Sequence, residues 1–251
     1  VEKRVSITPD TAKNIINLGL KVIIENNYAN HIGIIDKEYE AVGVEIKNSS
    51  KEVLNNCNLL TKVNCPSDGE ILNLKDKTIL IGMFNPSKNQ NKIDNIIKKN
   101  INVFSLELLP RISRAQSMDV LSSQSNLAGY RSVVDSVYEF EKAIPMMMTA
   151  AGTVPAAKVL VIGAGVAGLQ AIATAKRLGA IVSATDVRAA SKEQVESLGG
   201  KFLTVEQSEN LETDDGYAKE ASEDFKKKQT EMMKNALKKN DIVICTALIP
   251  G

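Results

Sequence analysis

The chain has 251 residues, of which 43% are hydrophobic, so it can bury one large core or two cores of ordinary size. Its 31 Lys and Arg residues nearly balance 30 Asp and Glu residues, and a net charge of +1 offers no global attraction to nucleic acid. The three cysteines and the single histidine have neither zinc nor disulfide spacing, so we expect no metal site. No apolar run reaches the roughly 18 residues that span a bilayer.

The first hundred residues alternate short apolar runs with helical patterns. The runs typical of strands are 20–25, 59–63, 78–82 and 102–108. Thr8, followed by Pro9 and Asp10, predicts the start of a helix that ends at Gly19, and a second helix is predicted over 87–100. Strands that alternate with helices favour a parallel sheet covered on both faces.

The composition changes near Ser122, after which Asn becomes rare and Ala and Gly become frequent. A helix from near Asn126 to Ile144 is predicted to join two domains, the first over 1–125 and the second over 126–251. The second domain is predicted to contain, in order, strand 157–163, helix 166–179, strand 180–186, helix 191–199, strand 201–205, helix 218–239 and strand 241–247. This order is typical of a doubly wound Rossmann-like sheet, and the first domain resembles it. Residues 206–217 are acidic and are predicted to form an exposed loop.

A glycine-rich stretch, GAGVAG at 163–168, directly follows an apolar strand and opens an amphipathic helix. In such a stretch Gly163 allows a tight turn, Gly165 lets the backbone approach a pyrophosphate, and Gly168 lets the helix pack closely on the sheet. The amides at the helix start, near Ala164 and Val166, would face the phosphates. This context predicts a dinucleotide site, and a glycine turn without a ligand is the alternative.

Asp186 lies at the end of the next predicted strand, about twenty residues after the glycine stretch. Its carboxylate could accept hydrogen bonds from both hydroxyls of an adenine ribose, and its charge would repel a 2′-phosphate. Arg188 argues the other way, because a nearby arginine neutralises that phosphate in NADP sites. We predict NAD(H) rather than NADP(H).

A polar stretch at 110–125 follows an apolar, strand-like run. One interpretation is a solvated loop. The other is a loop that lies over the nicotinamide of a cofactor held by the second domain, if the two domains flank a cleft. Its side chains suited to holding a carboxamide and ribose hydroxyls are Arg111, Gln116, Asp119 and Ser122. The stretch has no His, Lys or Tyr to carry a proton, which favours direct hydride exchange between two nicotinamides.

Three segments, 110–133, 145–180 and 184–202, closely resemble the NAD(H)-binding domain of the proton-translocating NAD(P) transhydrogenases. The resemblance implies a two-domain NAD(H) module, usually dimeric, that docks on a proton-channel membrane domain and on a separate NADP(H)-binding domain. The module would lie at a membrane and face the cytoplasm or an organelle matrix. The resemblance also implies that this chain holds only a portion of the nucleotide domain, whose sheet further residues would complete.

The resemblance also assigns residues to the site. It gives catalytic roles to Arg111, Gln116, Asp119 and Ser122, with Gln116 reaching toward the partner's NADP(H). It places Val166, Asp186, Val187 and Arg188 along the adenosine and pyrophosphate of the cofactor. Further implied cofactor contacts are Ile112, Ser113, Arg114, Ser117, Met118, Gly216, Gln229 and Leu248, with Tyr217 on a mobile loop that closes over the nucleotide.

Alanine dehydrogenase is the relative to be weighed against this assignment, because it resembles the module in fold and carries a catalytic lysine and histidine in its first domain. Lys62 falls where that lysine is expected. Met83 or a neighbour holds the histidine position, and no histidine follows His31. Lys62 is therefore interpreted as a solvated residue at a strand end. A non-catalytic NAD-binding module is the third alternative.

Overall fold

The computed structural model describes residues 2–110, 112–188, 190–205 and 223–247, without the side chains of 224–226. The chain forms two α/β units that divide between Val120 and Leu121. The domain boundary predicted between residues 125 and 126 falls in the same helix, Val120–Glu139, as this division.

The first unit alternates strands with helices. Its elements are α1 (Pro9–Asn17), β1 (Ile23–Glu25), α2 (Asp36–Glu40), β2 (Glu45–Lys47), α3 (Ser50–Asn56), β3 (Leu59–Asn64), α4 (Asp68–Asn73), β4 (Ile79–Met83), α5 (Gln90–Lys98) and β5 (Asn102–Ser105). The strands form two parallel sheets, β1–β2 and β3–β4–β5. The parallel α/β prediction is confirmed, although β1 pairs with β2, for which no strand was predicted.

Short capping motifs set the helix starts of this unit. Helix α1 begins at Pro9 as predicted, because Thr8 Oγ1 accepts the N–H of Thr11 at 3.3 Å. Helix α5 begins at Gln90 rather than at the predicted position 87. Residues 86–88 instead form a turn, in which the N–H groups of Lys88 and Asn89 donate to the carbonyl oxygen of Asn85 at 3.0 and 3.1 Å.

The second unit holds a four-stranded parallel sheet. Its elements are α6 (Val120–Glu139), β6 (Met147–Thr149), β7 (Gly152–Val154), β8 (Lys158–Ile162), α7 (Val166–Arg177), β9 (Ile181–Thr185), α8 (Ser191–Ser197), β10 (Lys201–Phe202), α9 (Glu223–Leu237) and β11 (Ile242–Cys245). The strand order β10–β9–β8–β11 confirms the doubly wound prediction, with the reversal between β8 and β11. The antiparallel hairpin β6–β7 was not predicted.

The long helix α6 is displaced from its prediction. It runs from Val120 to Glu139 rather than from Asn126 to Ile144, so Ser122 lies in its first turn and not in a loop. Ile144 precedes Pro145, and the residue before a proline is disfavoured in helical conformation, so the predicted helix could not have continued through Ile144. Ile144 instead enters the core of the second unit, where it is 6% exposed.

Helices α6 and α7 approach each other at a glycine. A Cβ atom built on Gly129 would lie 2.0 Å from the carbonyl oxygen of Ala167. Near this point Asn126 Nδ2 donates to Gln170 Oε1 at 3.3 Å. Farther along α6, Val133 joins the core formed by β8 and β9. The missing side chain of Gly129 therefore allows α6 to pack on the sheet layer.

We expect Gly129→Ala to destabilise the protein by about 2 kcal/mol, the scale of overpacking in a core. The matched control is Gly69→Ala in α4, where no atom lies within 4 Å of a built Cβ. That substitution should be neutral or stabilising by about 0.5 kcal/mol, because alanine restricts the unfolded chain. Urea unfolding of both variants measures the difference, and equal midpoints would contradict the packing argument.

Three further features concern the described residues alone. None of their helices combines the length and apolar character needed to cross a membrane. They contain no group of three or more His, Cys, Asp or Glu side chains that could hold a metal ion. His31 is exposed, with Nε2 2.9 Å from the carbonyl oxygen of Lys3, and Cys57, Cys65 and Cys245 are free thiols.

Candidate functional site

The glycine turn after β8 is shaped by close backbone contacts. Gly163 has φ +94°, and a Cβ there would lie 2.7 Å from the amide nitrogen of Ala247. A Cβ on Gly168 would lie 1.8 Å from the carbonyl oxygen of Gly163. Both positions therefore require glycine for the packing of the protein itself.

Gly165 is different, because no described protein atom lies within 4 Å of a built Cβ. Its φ of −76° and ψ of −169° are open to any residue. It caps α7 without a side-chain hydrogen bond, and the first turn of α7 carries no acidic residue. The unpaired N–H groups of a helix start favour an anion. The local backbone does not explain the glycine, whereas the close approach of a phosphate would.

Asp186 directly follows β9, and its carboxylate is held by four hydrogen bonds. Oδ2 accepts the backbone N–H of Ala164 at 2.7 Å, and Oδ1 accepts the backbone N–H of Arg188 at 2.9 Å. The Arg188 guanidinium donates to both oxygens, at 3.0 and 3.1 Å. The aspartate thus ties the end of β9 to the glycine turn.

The same contacts determine the charge of Asp186, whose side chain is 8% exposed. Burial raises the pKa of the carboxyl, but the hydrogen bonds from Arg188 and from the Ala164 amide outweigh burial and bring the pKa below its usual value. The group is therefore an ionised acceptor at neutral pH, as recognition of a ribose diol requires.

Thr246 completes the turn and was missed by the sequence analysis. It follows β11, and its Oγ1 donates to the carbonyl oxygen of Gly163 at 2.7 Å. Its N–H donates to Ile162 at 2.8 Å. A hydroxyl residue at the end of a predicted strand was the available signal. The carboxyl ends of β8 and β11 thus meet where the strand order reverses, which is where open α/β sheets bind ligands.

The polar stretch follows the first unit's sheet. Ser113–Met118 form a 3₁₀ helix that is anchored by Ala115, which is 6% exposed. Asp119 and Ser122 are half-buried. The exposed members of the predicted set are Ile112, Ser113, Arg114, Gln116, Ser117 and Met118. Arg111 lies outside the described residues.

The remaining predicted residues fall into two groups. Val166, Val187 and Arg188 lie in the second unit beside the glycine turn and Asp186, while Gln229 is half-buried on α9. Outside the described residues lie Gly216, Tyr217, Leu248 and the whole of the predicted loop 206–217. The structure therefore brings together 163–168 with 186–188, and adds Thr246 to them.

The interpretation of Lys62 as a solvated residue at a strand end is wrong. It lies within β3, and its ammonium forms an ion pair with Glu70, so it is not a free, solvated strand end. Glu70 also accepts the N–H of Ser67 at 2.8 Å. Burial raises the pKa of Glu70, but Lys62 and Ser67 outweigh burial and lower it. Lys62 is therefore neutralised within its own unit.

We expect Asp186→Ala to weaken NADH binding and to reduce the preference for NADH over NADPH by about tenfold, the scale of losing a charge-assisted hydrogen bond. Asp241→Ala is the matched control, because Asp241 also accepts a backbone N–H, from Lys158 at 2.8 Å, but at the amino end of the same sheet. Titration of both dinucleotides measures the preference. An unchanged ratio in Asp186→Ala would assign specificity to another residue.

A doubly wound parallel sheet, a glycine turn at the point of strand reversal and an ionised carboxylate beside it define a Rossmann-like α/β protein. The sequence comparisons specify the family. The model "Alanine dehydrogenase/PNT, N-terminal domain" matches residues 1–128, and the corresponding C-terminal domain matches 132–251. The chain belongs to the alanine dehydrogenase/PNT family.

Individual relatives are similar over the whole chain. A Rhodospirillum rubrum protein, named as the first portion of NAD(P) transhydrogenase subunit alpha, is 52% identical over 100% of this chain and 67% of its own length. The crystal structure of transhydrogenase from Sinorhizobium meliloti matches with a TM-score of 0.89 and 46% identity, over 99% of this chain and 67% of that one. An alanine dehydrogenase from Methanococcus maripaludis is 26% identical, over 100% of this chain and 62% of its own length. The chain thus spans about two thirds of these relatives.

Proposed function

We propose that this chain is the NAD(H)-binding component of a proton-translocating NAD(P) transhydrogenase. It would exchange hydride with NADP(H) bound on a partner domain, and a membrane domain would couple the exchange to proton movement. The observation that carries the proposal is the 52% identity, across the full chain, with the Rhodospirillum rubrum protein named for transhydrogenase subunit alpha. Association with a membrane through these partners, and a homodimeric state, belong to the same proposal.

The residues of the second unit fit NAD(H). Gly165, with no described atom within 4 Å of a built Cβ, and the amides at the start of α7, which has no side-chain cap, suit a pyrophosphate. Asp186 would accept the hydroxyls of the adenine ribose, with Val187 and Arg188 beside it. Bound NAD(H) would supply the nicotinamide carbon that gives or receives the hydride.

The chain's own side chains would orient and shield the reacting ring rather than move a proton. Arg111, Gln116, Asp119 and Ser122 would hold the carboxamide and ribose, and hydrogen bonds from such groups fix the ring in one orientation. Close alignment and exclusion of water are what hydride exchange between two nicotinamides requires. The stretch 110–125 contains no His, Lys or Tyr to carry a proton.

Single-turnover hydride transfer tests the function. The full-length protein is mixed in a stopped-flow instrument with a separately prepared NADP(H)-binding domain of a transhydrogenase, and the oxidation of NADH is followed. We expect rapid transfer that depends on both nucleotides. Transfer no faster than in a mixture without the chain would overturn the proposal.

Alanine dehydrogenase is the second candidate, favoured by the 26% identity with an enzyme of that name. The sequence argues against it, because no histidine follows His31 to take the place of that enzyme's catalytic histidine. The same preparation should therefore fail to oxidise NADH with pyruvate and ammonia. Robust pyruvate-dependent oxidation would reverse the order of the two candidates. A module that binds NADH but catalyses neither reaction would be the non-catalytic alternative.

A further inference from the structure

Glu107 joins the chain segments that follow two neighbouring strands. It lies in the 3₁₀ turn Leu106–Leu108, directly after β5. Its Oε1 accepts the N–H of Phe84 at 2.8 Å and also the N–H of Asn85. Phe84 and Asn85 are the first residues after β4, which pairs with β5 in parallel. One carboxylate oxygen therefore clamps the ends of both strands together.

Further contacts fix the turn that contains these two amides. Asn85 is in the left-handed region, with φ +46°, and the Phe84 side chain is fully buried. Asn89 Nδ2 donates to the carbonyl oxygen of Phe84 at 2.8 Å, which holds the turn from the other side. Removing the Glu107 acceptor would leave two backbone N–H groups without their partner.

The second carboxylate oxygen of Glu107, Oε2, differs from Oε1 in its contacts. Oε2 is buried and has no hydrogen-bond partner among the described residues. Nor does Glu107 form an ion pair with any residue that the structure describes. Among the described residues, the hydrogen bonds of the carboxylate are therefore the two from the amides to Oε1.

Glu107 lies just before the polar stretch 110–125 in the chain. The chain passes from Glu107 through Leu109, whose N–H donates to Leu106 at 3.3 Å, and then through Pro110. Within the stretch, the N–H of Ile112 donates to the Pro110 carbonyl oxygen at 2.9 Å. Because this connection is short and its proline has a fixed φ, a shift of the clamped turn would be passed on to the stretch.

We propose that Glu107 is a positioning residue for hydride transfer, which fixes the origin of the stretch 112–119 through the amides of Phe84 and Asn85. This inference rests on the proposed function. Glu107 acts as an acceptor at a fixed place. Its charge and any contact with substrate do not belong to the role.

Three substitutions of Glu107 in the full-length protein distinguish a role as a fixed acceptor from a role that depends on charge. Glu107→Ala removes the acceptor. Glu107→Asp keeps the charge but is one methylene too short to reach both amides. Glu107→Gln keeps a carbonyl oxygen at the Oε1 position and loses the charge. The control is Glu70→Gln, since Glu70 also accepts a backbone N–H after a strand of this sheet but is not followed by the stretch.

The measurements are the single-turnover transfer rate at saturating nucleotides, the Kd for NADH and the melting temperature. We expect Glu107→Ala and Glu107→Asp to slow transfer by about tenfold or more, the scale of a small misplacement of reacting groups. Glu107→Gln should keep at least about a third of the rate, since a neutral acceptor forms a weaker bond. The Kd should change by less than about threefold, and Glu70→Gln should transfer at the wild-type rate.

Other outcomes overturn the inference. Full rates in Glu107→Ala or Glu107→Asp would remove the role, and equal losses in the Gln and Ala variants would assign the effect to charge. A loss that follows the Kd or melting temperature would indicate general stabilisation. If the Ala variant does not fold, the Asp and Gln variants decide the question. A wild-type protein that transfers no hydride would instead contradict the proposed function.

Discussion

Gly165→Ala should leave the fold intact and weaken NADH binding by at least about tenfold, which corresponds to about 1.4 kcal/mol. No described atom lies within 4 Å of the built Cβ, and the backbone at Gly165 is unstrained. Among the described residues the added methyl group meets no neighbour, so we expect it to obstruct the pyrophosphate that the turn is proposed to hold. NADH titration together with thermal unfolding separates the two effects.

Gly168→Ala is the matched comparison in the same turn. Its Cβ would lie 1.8 Å from the carbonyl oxygen of Gly163, so the start of α7 would have to move. We expect a loss of about 3 kcal/mol in stability, at the upper end for overpacking. If Gly165→Ala also unfolded the protein, or bound NADH normally, the assignment of the open space to phosphate would be wrong.

Arg111→Ala should slow hydride transfer by on the order of a hundredfold, with a smaller change in NADH affinity. Arg111 lies outside the described residues, so this expectation rests on its place in the polar stretch and on the resemblance to transhydrogenases. The physical reason is that a group holding the nicotinamide side affects the geometry of transfer more than the energy of binding the whole dinucleotide.

Stopped-flow transfer and equilibrium titration of the same preparation measure both quantities. Arg131→Ala is a suitable control, since Arg131 is exposed on α6 and forms a surface ion pair with Asp135 at 2.7 Å. It should match wild type in both measurements. Equal losses of rate and affinity in Arg111→Ala would mean that the arginine only binds the nucleotide.

Local sequence signals predicted the elements that hold the candidate site. The glycine turn could be predicted because the spacing of its glycines after an apolar strand is a local pattern, and Gly163 has the positive φ that favours glycine. The start of α1 could be predicted because Thr8 caps the helix and Pro9 is its first residue. The predicted end of α6 was wrong, because the helical pattern was continued up to Ile144, directly before Pro145, whereas the helix ends at Glu139.

Contacts between distant segments could not be predicted in this way. Thr246 and Gly163 lie 83 residues apart, and no periodic pattern connects them. The same holds for Glu107 and Phe84. The ion pair of Lys62 joins a strand to the helix that follows it, and no periodic pattern indicates it either. Which of these residues come into contact depends on which strands pack next to one another in the sheet.

The sequence by itself determined the α/β class, the glycine turn and the acidic residue beside it, because backbone conformation and hydrophobic periodicity are local properties of the chain. Only the tertiary structure decided that Asp186 is held ionised by Ala164 and Arg188 and that Thr246 closes the turn. It also decided that Gly165, alone among the three glycines, has no described atom within 4 Å of a built Cβ. These features depend on which strands become neighbours, and that choice is made by the burial of the whole sheet.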